Sequence, residues 1–128
     1  MKLPHLELWT EARRAIAAKY DELLADSELV RPSEMSWARH VYHAYTLRAD
    51  DRDALQAALQ EKGIQTGIHY PIPVHLQPAY AELVHIPLAL PQSEKAAAEV
   101  LSLPLFPEMT GDQIQRVTTA LTTLATAR

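Results

Sequence analysis

Apolar side chains recur at helical spacing over the first part of the chain, from Leu6 to Leu24. This periodicity predicts one helix over residues 3–25, whose first turn tolerates Pro4. At 1.5 Å per residue such a helix would be about 34 Å long, which is more than a compact domain of this size needs. We therefore expect part of it to pack on something outside the chain.

This predicted helix carries an apolar stripe. Leu6, Trp9 and Ile16 recur along it at helical spacing. If the partner surface is missing, these side chains are expected to be exposed. Exposed apolar stripes favour association between copies, so self-association is predicted.

Strand and helix patterns alternate after a polar connection. Residues 40–48 are rich in β-branched and aromatic side chains and predict a strand, and residues 64–70 predict a second, shorter one. Between them, Asp50 or Asp51 can cap a helix that runs to Lys62 and ends at Gly63. Residues 93–101 predict a short Ala-rich helix, followed by a proline-stiffened connection. Thr110 and the residues after it then open a last helix with a capping-box pattern.

These elements predict an α+β fold. We expect a small antiparallel sheet of about three strands with helices packed mainly on one face, preceded by the long N-terminal helix. The length of 128 residues suits a single domain. Within it, residues 1–26 would form the linking helix and residues 40–128 the α+β small domain.

Composition narrows the function classes. The net charge of −4 argues against a nucleic-acid binder, and the lack of cysteine excludes disulfides and thiolate chemistry. Three glycines, none in a cluster, are few for a chain that holds a phosphate by itself. No apolar run approaches the roughly 20 residues that cross a bilayer, and no signal peptide is evident. We therefore expect no membrane partner and a cytoplasmic location.

Two classes of catalytic site find little support. His40 with His43, or His69 with His75, could be considered as zinc ligands. Residues three apart on a strand point to opposite faces, so half-buried histidines with satisfied ring nitrogens are the better interpretation, and no metal site is predicted. No serine lies in a Gly-x-Ser-x-Gly elbow, which leaves serine nucleophilic catalysis without support.

The loop over residues 69–80 is the most distinctive local feature. It carries His69, Tyr70, His75 and two further polar or aromatic side chains on a backbone stiffened by three prolines. Imidazole and phenol groups suit hydrogen bonding to sugar hydroxyls or phosphate oxygens. A packed connection whose aromatic side chains fill a domain seam is the alternative, and composition leaves both open.

At this loop the sequence resembles a known family. The run GIQTGIHYPIPVHLQPAY, residues 63–80, is similar to a loop of DegT-type sugar aminotransferases. These are fold-type-I, pyridoxal phosphate (PLP)-dependent enzymes that aminate keto sugars on nucleotide carriers. The resemblance extends over KLPHLELWTEARRAIAAKYDELL, HVYHAYTLRADDRDALQAALQEKGI and SEKAAAEVLSLPLFPEMTGDQIQRV, in the family's order. Residues 84–94 depart from the Gly-rich turn expected there.

The resemblance implies that this chain is the C-terminal small domain of such an enzyme. The large domain, with the Schiff-base lysine, would then be a missing partner, and Lys2, Lys19, Lys62 and Lys95 do not match that position. The chain alone would thus hold no catalytic residue and no PLP. His69 and Tyr70, and more weakly His75, become candidate contacts to a nucleotide-linked keto sugar.

Two other hypotheses remain. The chain could be a stand-alone module that binds sugar nucleotides without catalysis. It could also be a piece that completes an aminotransferase encoded by a second chain.

Overall fold

The computed structural model describes residues 2–80 and 89–125. A 3₁₀ turn at Leu3–His5 leads into helix α1, and two more 3₁₀ turns lie at Val74–Leu76 and Pro78–Tyr80. The helices and strands in chain order are α1 (Leu6–Leu23), β1 (Tyr45–Arg48), α2 (Arg52–Glu61), α3 (Pro91–Glu99), β2 (Val100–Leu103) and α4 (Gly111–Ala125). The predicted α+β class with a long N-terminal helix is confirmed. No helix in the described ranges is both long and apolar enough to cross a membrane.

The sheet is smaller than predicted. Strands β1 and β2 pair antiparallel, with Tyr45 opposite Leu103 and Arg48 opposite Val100. The strand predicted over residues 64–70 is reduced to one bridge, at Gly67 opposite Ser102. The prolines that follow closely lack the N–H groups a ladder needs, so pairing stops there. Among the described residues the sheet therefore has two strands rather than about three.

The first strand also begins later than expected. The sequence predicts extended backbone from residue 40, but Tyr42 has a φ of +46° and the ladder begins only at Tyr45. A positive φ on a residue with a side chain interrupts extended structure. The side-chain alternation is therefore seen only within the short β1, where Tyr45 and Leu47 are fully buried.

Strand β2 is the element that the sequence did not predict. Residues 100–103 were expected to end a helix and begin a connection, but α3 ends at Glu99 and Val100–Leu103 pairs with β1. Leu101, Ser102 and Leu103 are all buried. A short apolar run of this kind cannot be distinguished from a helix end by periodicity alone.

The helix termini agree closely with the sequence. The Asp51 side chain accepts from the Ala54 amide and caps α2, and Gly63 follows the helix with a φ of +72°. The predicted capping box of α4 is present, because Thr110 N donates to Gln113 Oε1 at 2.9 Å and Gln113 N donates to Thr110 Oγ1 at 3.3 Å. The Asp51 cap and the capping box both satisfy backbone groups that a helix end leaves without partners.

The core lies between α1, α2, α4 and the two strands. Its fully buried side chains include Tyr20, Leu59, Leu101 and Leu121. Each such apolar side chain contributes roughly 1.5–3 kcal/mol when it leaves water. The Tyr20 hydroxyl donates to the Pro104 carbonyl at 2.8 Å, so the polar end of this ring is satisfied inside the core.

The two halves of helix α1 differ in how their apolar side chains are buried. Ile16 and Tyr20, in its second half, belong to the core. Leu6 is 51% exposed and Trp9 is half-buried against the His5 ring. The expectation that Ile16 would be exposed is therefore wrong, because α4 packs against this part of α1. The exposed apolar side chains of this helical segment are instead those near its start, Leu3, Leu6 and Leu8.

Candidate functional site

A groove runs between the proline-rich loop and helix α3. Its volume is about 670 Å³. The three candidate residues from the sequence, His69, Tyr70 and His75, all line it. Its other walls are largely apolar, with Ile72, Val74, Tyr80, Leu90, Ala96 and Val100 among the described residues.

His69 is held from behind by the sheet. Its Nδ1 atom lies 2.9 Å from Ser102 Oγ, and Ser102 Oγ lies 2.8 Å from Thr46 Oγ1. Ser102 is buried on β2, and its backbone N–H and C=O pair with Gly67, two residues before His69. The same strand therefore positions both the loop's backbone and the ring. Despite these contacts His69 is exposed overall.

Tyr70 is largely exposed. Its relative exposure is 72%, and its ring meets the His69 ring edge to face, with centroids 5.5 Å apart and planes at 87°. Such T-shaped pairs are a favourable arrangement for aromatic rings. Its exposure leaves the Tyr70 ring accessible as a surface for stacking, with a hydroxyl at its end.

His75 joins the loop to helix α3. Its Nε2 atom lies 3.2 Å from Glu94 Oε1, and the same carboxylate oxygen accepts from the Leu90 amide at 3.1 Å. Leu90 is the N-cap residue of α3, so Glu94 satisfies a free amide at the helix start. The His75 side chain is 11% exposed, which makes it mainly a wall of the groove.

The chemistry of the groove suits hydrogen bonding to a small molecule. Its described lining contains no lysine, arginine or carboxylate. The polar groups are two imidazoles, two phenols, the Gln77 amide and the Ser93 hydroxyl. Apolar walls with a few convergent hydrogen-bonding groups are typical of small-molecule sites. Hydrogen bonds to hydroxyl or phosphate oxygens are the interactions this set can offer.

The histidines of the candidate zinc pairs make other contacts. His40 Nδ1 accepts from the Tyr42 amide at 2.9 Å, and the two rings lie 4.2 Å apart. Within residues 2–80 and 89–125, no group of three or more potential ligands is placed to hold a metal ion.

The four lysines lie on the surface of the described structure. All four are exposed, and none lines the groove beside His69. Lys19 lies 2.8 Å from Glu22, and Lys95 lies 3.7 Å from Glu99. A cofactor lysine needs an enclosed pocket with an acid near the pyridine nitrogen and a phosphate cup. Lys62 lines an open depression together with Asp112 and Arg116, away from the groove.

Sequence reasoning missed the residues behind the site. Glu94 contacts His75, Ser102 contacts His69 and Thr46 contacts Ser102, each across 19 or more positions of sequence. No local pattern signals such contacts, and Ser102 lay in a segment read as a connection. Of the segment 84–94 that departs from the family pattern, residues 84–88 lie outside the described residues.

Most of this chain matches part of several longer curated proteins. A "Pleiotropic regulatory protein" of Geobacillus stearothermophilus is 50% identical over 91% of this chain and 32% of its own length. The UDP-N-acetyl-3-dehydro-alpha-D-glucosamine 3-aminotransferase of Acidithiobacillus ferrooxidans is 38% identical over 94% of this chain and 32% of its own. The chain thus spans about a third of the length of the curated relatives it matches.

Solved structures agree with the fold. The crystal structure of DesV from S. venezuelae, in complex with a ketimine intermediate, superposes with a TM-score of 0.92 at 39% identity, over 97% of this chain and 34% of that one. NtdA from Bacillus subtilis, with bound cofactor PMP, gives a TM-score of 0.83 at 29% identity, over 93% of this chain and 29% of that one.

The family model for DegT/DnrJ/EryC1/StrS aminotransferases matches residues 1–122, nearly the whole chain. Its named relatives include aminotransferases of nucleotide-linked sugars, such as the A. ferrooxidans protein, and NtdA was solved with bound cofactor PMP. The chain therefore belongs to the DegT/DnrJ/EryC1/StrS aminotransferase family.

Proposed function

We propose that this chain is the C-terminal small domain of a PLP-dependent nucleotide-sugar aminotransferase. Its part in the reaction is to present the loop over residues 63–80 to a nucleotide-linked keto sugar. The observation that carries the proposal is that His69, Tyr70 and His75 line one groove in a chain of this family. The reaction of the whole enzyme is the transfer of an amino group to the keto carbon of the sugar.

The composition of the groove supports a sugar nucleotide as ligand. Imidazole and phenol groups can hydrogen-bond sugar hydroxyls and phosphate oxygens, and aromatic rings pack on the apolar faces of sugars and bases. The A. ferrooxidans relative is named for a UDP-linked keto sugar. This is the ligand class that we assign to His69, Tyr70 and, more weakly, His75.

The cofactor and its lysine belong, in this proposal, to the larger remaining part of the enzyme. Two observations support this division. The chain covers about a third of its relatives, and its four lysines are all on the surface. PLP supplies the electron sink of transamination when it is bound there. Incubation of this chain with PLP and borohydride should leave no stoichiometric pyridoxyl-lysine, and specific labelling of one lysine would contradict the division.

Restoring the missing part tests the function. We expect a large family domain, fused before residue 1 or co-expressed, to give a complex with PLP absorbance and transaminase activity. In that enzyme His69→Ala and Tyr70→Phe should raise KM for the nucleotide sugar and leave PLP absorbance unchanged. Pro107→Ala, a change outside the groove, is the matched control. Full activity of both groove variants would refute the substrate-facing role of the loop.

A binding module without catalysis is the second candidate. It is favoured by the fact that all three candidate contacts lie within this one chain. Titration of the chain with UDP-N-acetylglucosamine or dTDP-glucose, followed by NMR, distinguishes the two candidates. A domain that has lost its larger part should bind very weakly, whereas a stand-alone module should saturate at micromolar ligand.

A further inference from the structure

We propose that Ser102, with Thr46 behind it, is a positioning residue that holds the His69 ring with its proton on Nε2. His69 then meets its ligand as a hydrogen-bond donor. The inference rests on the proposed function, because it concerns how the same loop recognises a nucleotide sugar.

The register of the sheet explains why the two hydroxyls meet. Thr46 and Ser102 are opposite each other in the antiparallel pair of β1 and β2. The backbone N–H and C=O of Ser102 both pair with Gly67, on the other side of β2. In an antiparallel ladder both groups of a residue point to the same side, so Thr46 and Ser102 form a non-hydrogen-bonded pair. Side chains of such pairs come closest together, in keeping with the 2.8 Å between the two oxygens.

The direction of the hydrogen bonds follows from counting protons. Among the described residues, Ser102 Oγ is the one hydrogen-bond partner of Thr46 Oγ1. If Thr46 donates to Ser102, Ser102 can donate to His69 Nδ1, and both hydroxyl protons are used. If His69 Nδ1 donates to Ser102 instead, one of the two hydroxyl protons has no acceptor among the described residues. It is the Thr46 proton if Ser102 donates to Thr46, and the Ser102 proton if Thr46 donates to Ser102. The first arrangement satisfies more groups, and it leaves the ring proton on Nε2.

Gly67 fixes the plane of the ring. A Cβ atom built on Gly67 would lie 2.7 Å from His69 Cε1, closer than real Cβ atoms approach, and 3.3 Å from Nε2, which is a tight contact. The imidazole therefore lies directly against the Gly67 backbone. With the ring blocked on this side and Nδ1 engaged by a buried hydroxyl, Nε2 is the ring nitrogen left to a ligand.

A donor at Nε2 selects an acceptor on the ligand. The matching atom is an oxygen with lone pairs, which a sugar hydroxyl, a sugar carbonyl or a diphosphate can supply. Ser102 and Thr46 would thus act on the ligand through His69 without touching it.

The tautomer can be read directly by NMR on the ligand-free chain. Long-range ¹H–¹⁵N spectra separate protonated from unprotonated ring nitrogens, and the spectrum of His69→Gln assigns the His69 signals. At a pH of about 8, where an unperturbed imidazole is neutral, we expect His69 to carry its proton on Nε2. In Ser102→Ala and in Thr46→Val the two nitrogen shifts should move toward those of His43, an exposed histidine outside the groove.

Ser93→Ala is the matched control, since Ser93 also lines the groove but the hydrogen bond of His69 Nδ1 goes to Ser102. The control should leave the His69 signals in place. A proton on Nδ1 in the unchanged chain, or nitrogen shifts unaltered in both Ser102→Ala and Thr46→Val, would overturn the positioning role. Thr46→Val keeps the test decisive if the buried Ser102→Ala change prevents folding.

A double-mutant cycle in the restored full-length enzyme links positioning to recognition. Ser102→Ala should raise KM for the nucleotide sugar about 3–10-fold, and the same change should add nothing once His69 is Gln. An equal effect in both backgrounds would show that Ser102 does not act through His69. If the NMR result holds but His69→Gln leaves KM unchanged, the proposed function of the loop fails while the tautomer assignment stands.

Discussion

The Nε2 atom of His75 lies 3.2 Å from Glu94 Oε1, and this contact ties the proline-rich loop to the first turns of α3. Because Glu94 also accepts from the Leu90 amide, one carboxylate serves both the helix start and the loop. The groove between the two elements therefore depends on a side chain that lies outside the lining itself. Two parts of the chain hold the histidines of the groove. Glu94 on α3 contacts one of them, and Ser102 on β2 contacts the other.

Removing this carboxylate should loosen the loop more than it destabilises the fold. We expect Glu94→Ala to lower the free energy of unfolding by about 1 kcal/mol, because it removes an exposed pair and a helix-start hydrogen bond. Amide hydrogen exchange should accelerate at residues 74–77 and at Leu90. Glu108→Gln, on the connection after β2, is the matched control. Unchanged exchange over the loop in Glu94→Ala would show that the His75 contact does not hold it.

Tyr45 gives a test of the core. Its side chain is fully buried, and its hydroxyl donates to Asp21 Oδ1 at 2.6 Å, which joins β1 to α1. Tyr45→Phe removes the donor and leaves a half-buried carboxylate with fewer partners. A loss of roughly 1–3 kcal/mol in the free energy of unfolding is expected.

Urea denaturation followed by circular dichroism measures this loss. Tyr80→Phe, in which an exposed ring loses its hydroxyl, serves as the comparison and should change stability by less than about 0.5 kcal/mol. Equal midpoints for the two variants would mean that the Tyr45 hydroxyl contributes nothing to folding.

The parts of the fold that the sequence predicted are those with local signals. Asp51, Thr110 and Gly63 each act within a few residues of their own position, so caps and helix ends could be read directly. Strand β2 could not be predicted from a local signal, because its pairing partner β1 lies more than 50 positions away. Residues 100–103 are apolar in any conformation, and only the long-range contact selects a strand.

The same distinction holds at the candidate site. His69, Tyr70 and His75 are adjacent or nearly so in sequence and stand out by residue type, and the structure places them on one groove. No local sequence pattern marks Ser102 and Glu94, which contact the two imidazoles only in the folded chain. Their contribution is positional, and residue type alone carries no sign of it.

A charge pair beside α1 predicts a pH dependence of stability. Glu34 accepts two hydrogen bonds from Arg14, at 2.7 and 3.1 Å, and one from the His40 amide at 2.5 Å. The Arg14 guanidinium and then the His40 amide lower the pKa of Glu34 from 4.5 to about 2. Since the folded pKa lies below the unfolded one, Glu34 stabilises the fold above pH 4.5. That contribution should be lost as the pH falls toward 2.

Glu34→Gln tests this linkage. The variant should be less stable than the unchanged chain near neutral pH, and the difference should shrink between pH 4.5 and about 2. Thermal unfolding at several pH values measures it, with Glu108→Gln as the control. A difference between Glu34→Gln and the unchanged chain that stays constant across this range would rule out the assigned pKa direction.

The exposed leucines at the start of the chain predict self-association of the isolated chain. Leu3 and Leu6 are 72% and 51% exposed and are three residues apart, so they lie on one side of the helical segment. With no larger part to cover them, we expect copies to associate at high concentration through this apolar surface. Sedimentation velocity over a range of concentrations should show the average mass rising. Leu3→Glu with Leu6→Glu should suppress the rise, whereas Lys19→Glu, on the same helix, should not. A strictly monomeric chain at high concentration would mean that these leucines alone do not make an interface.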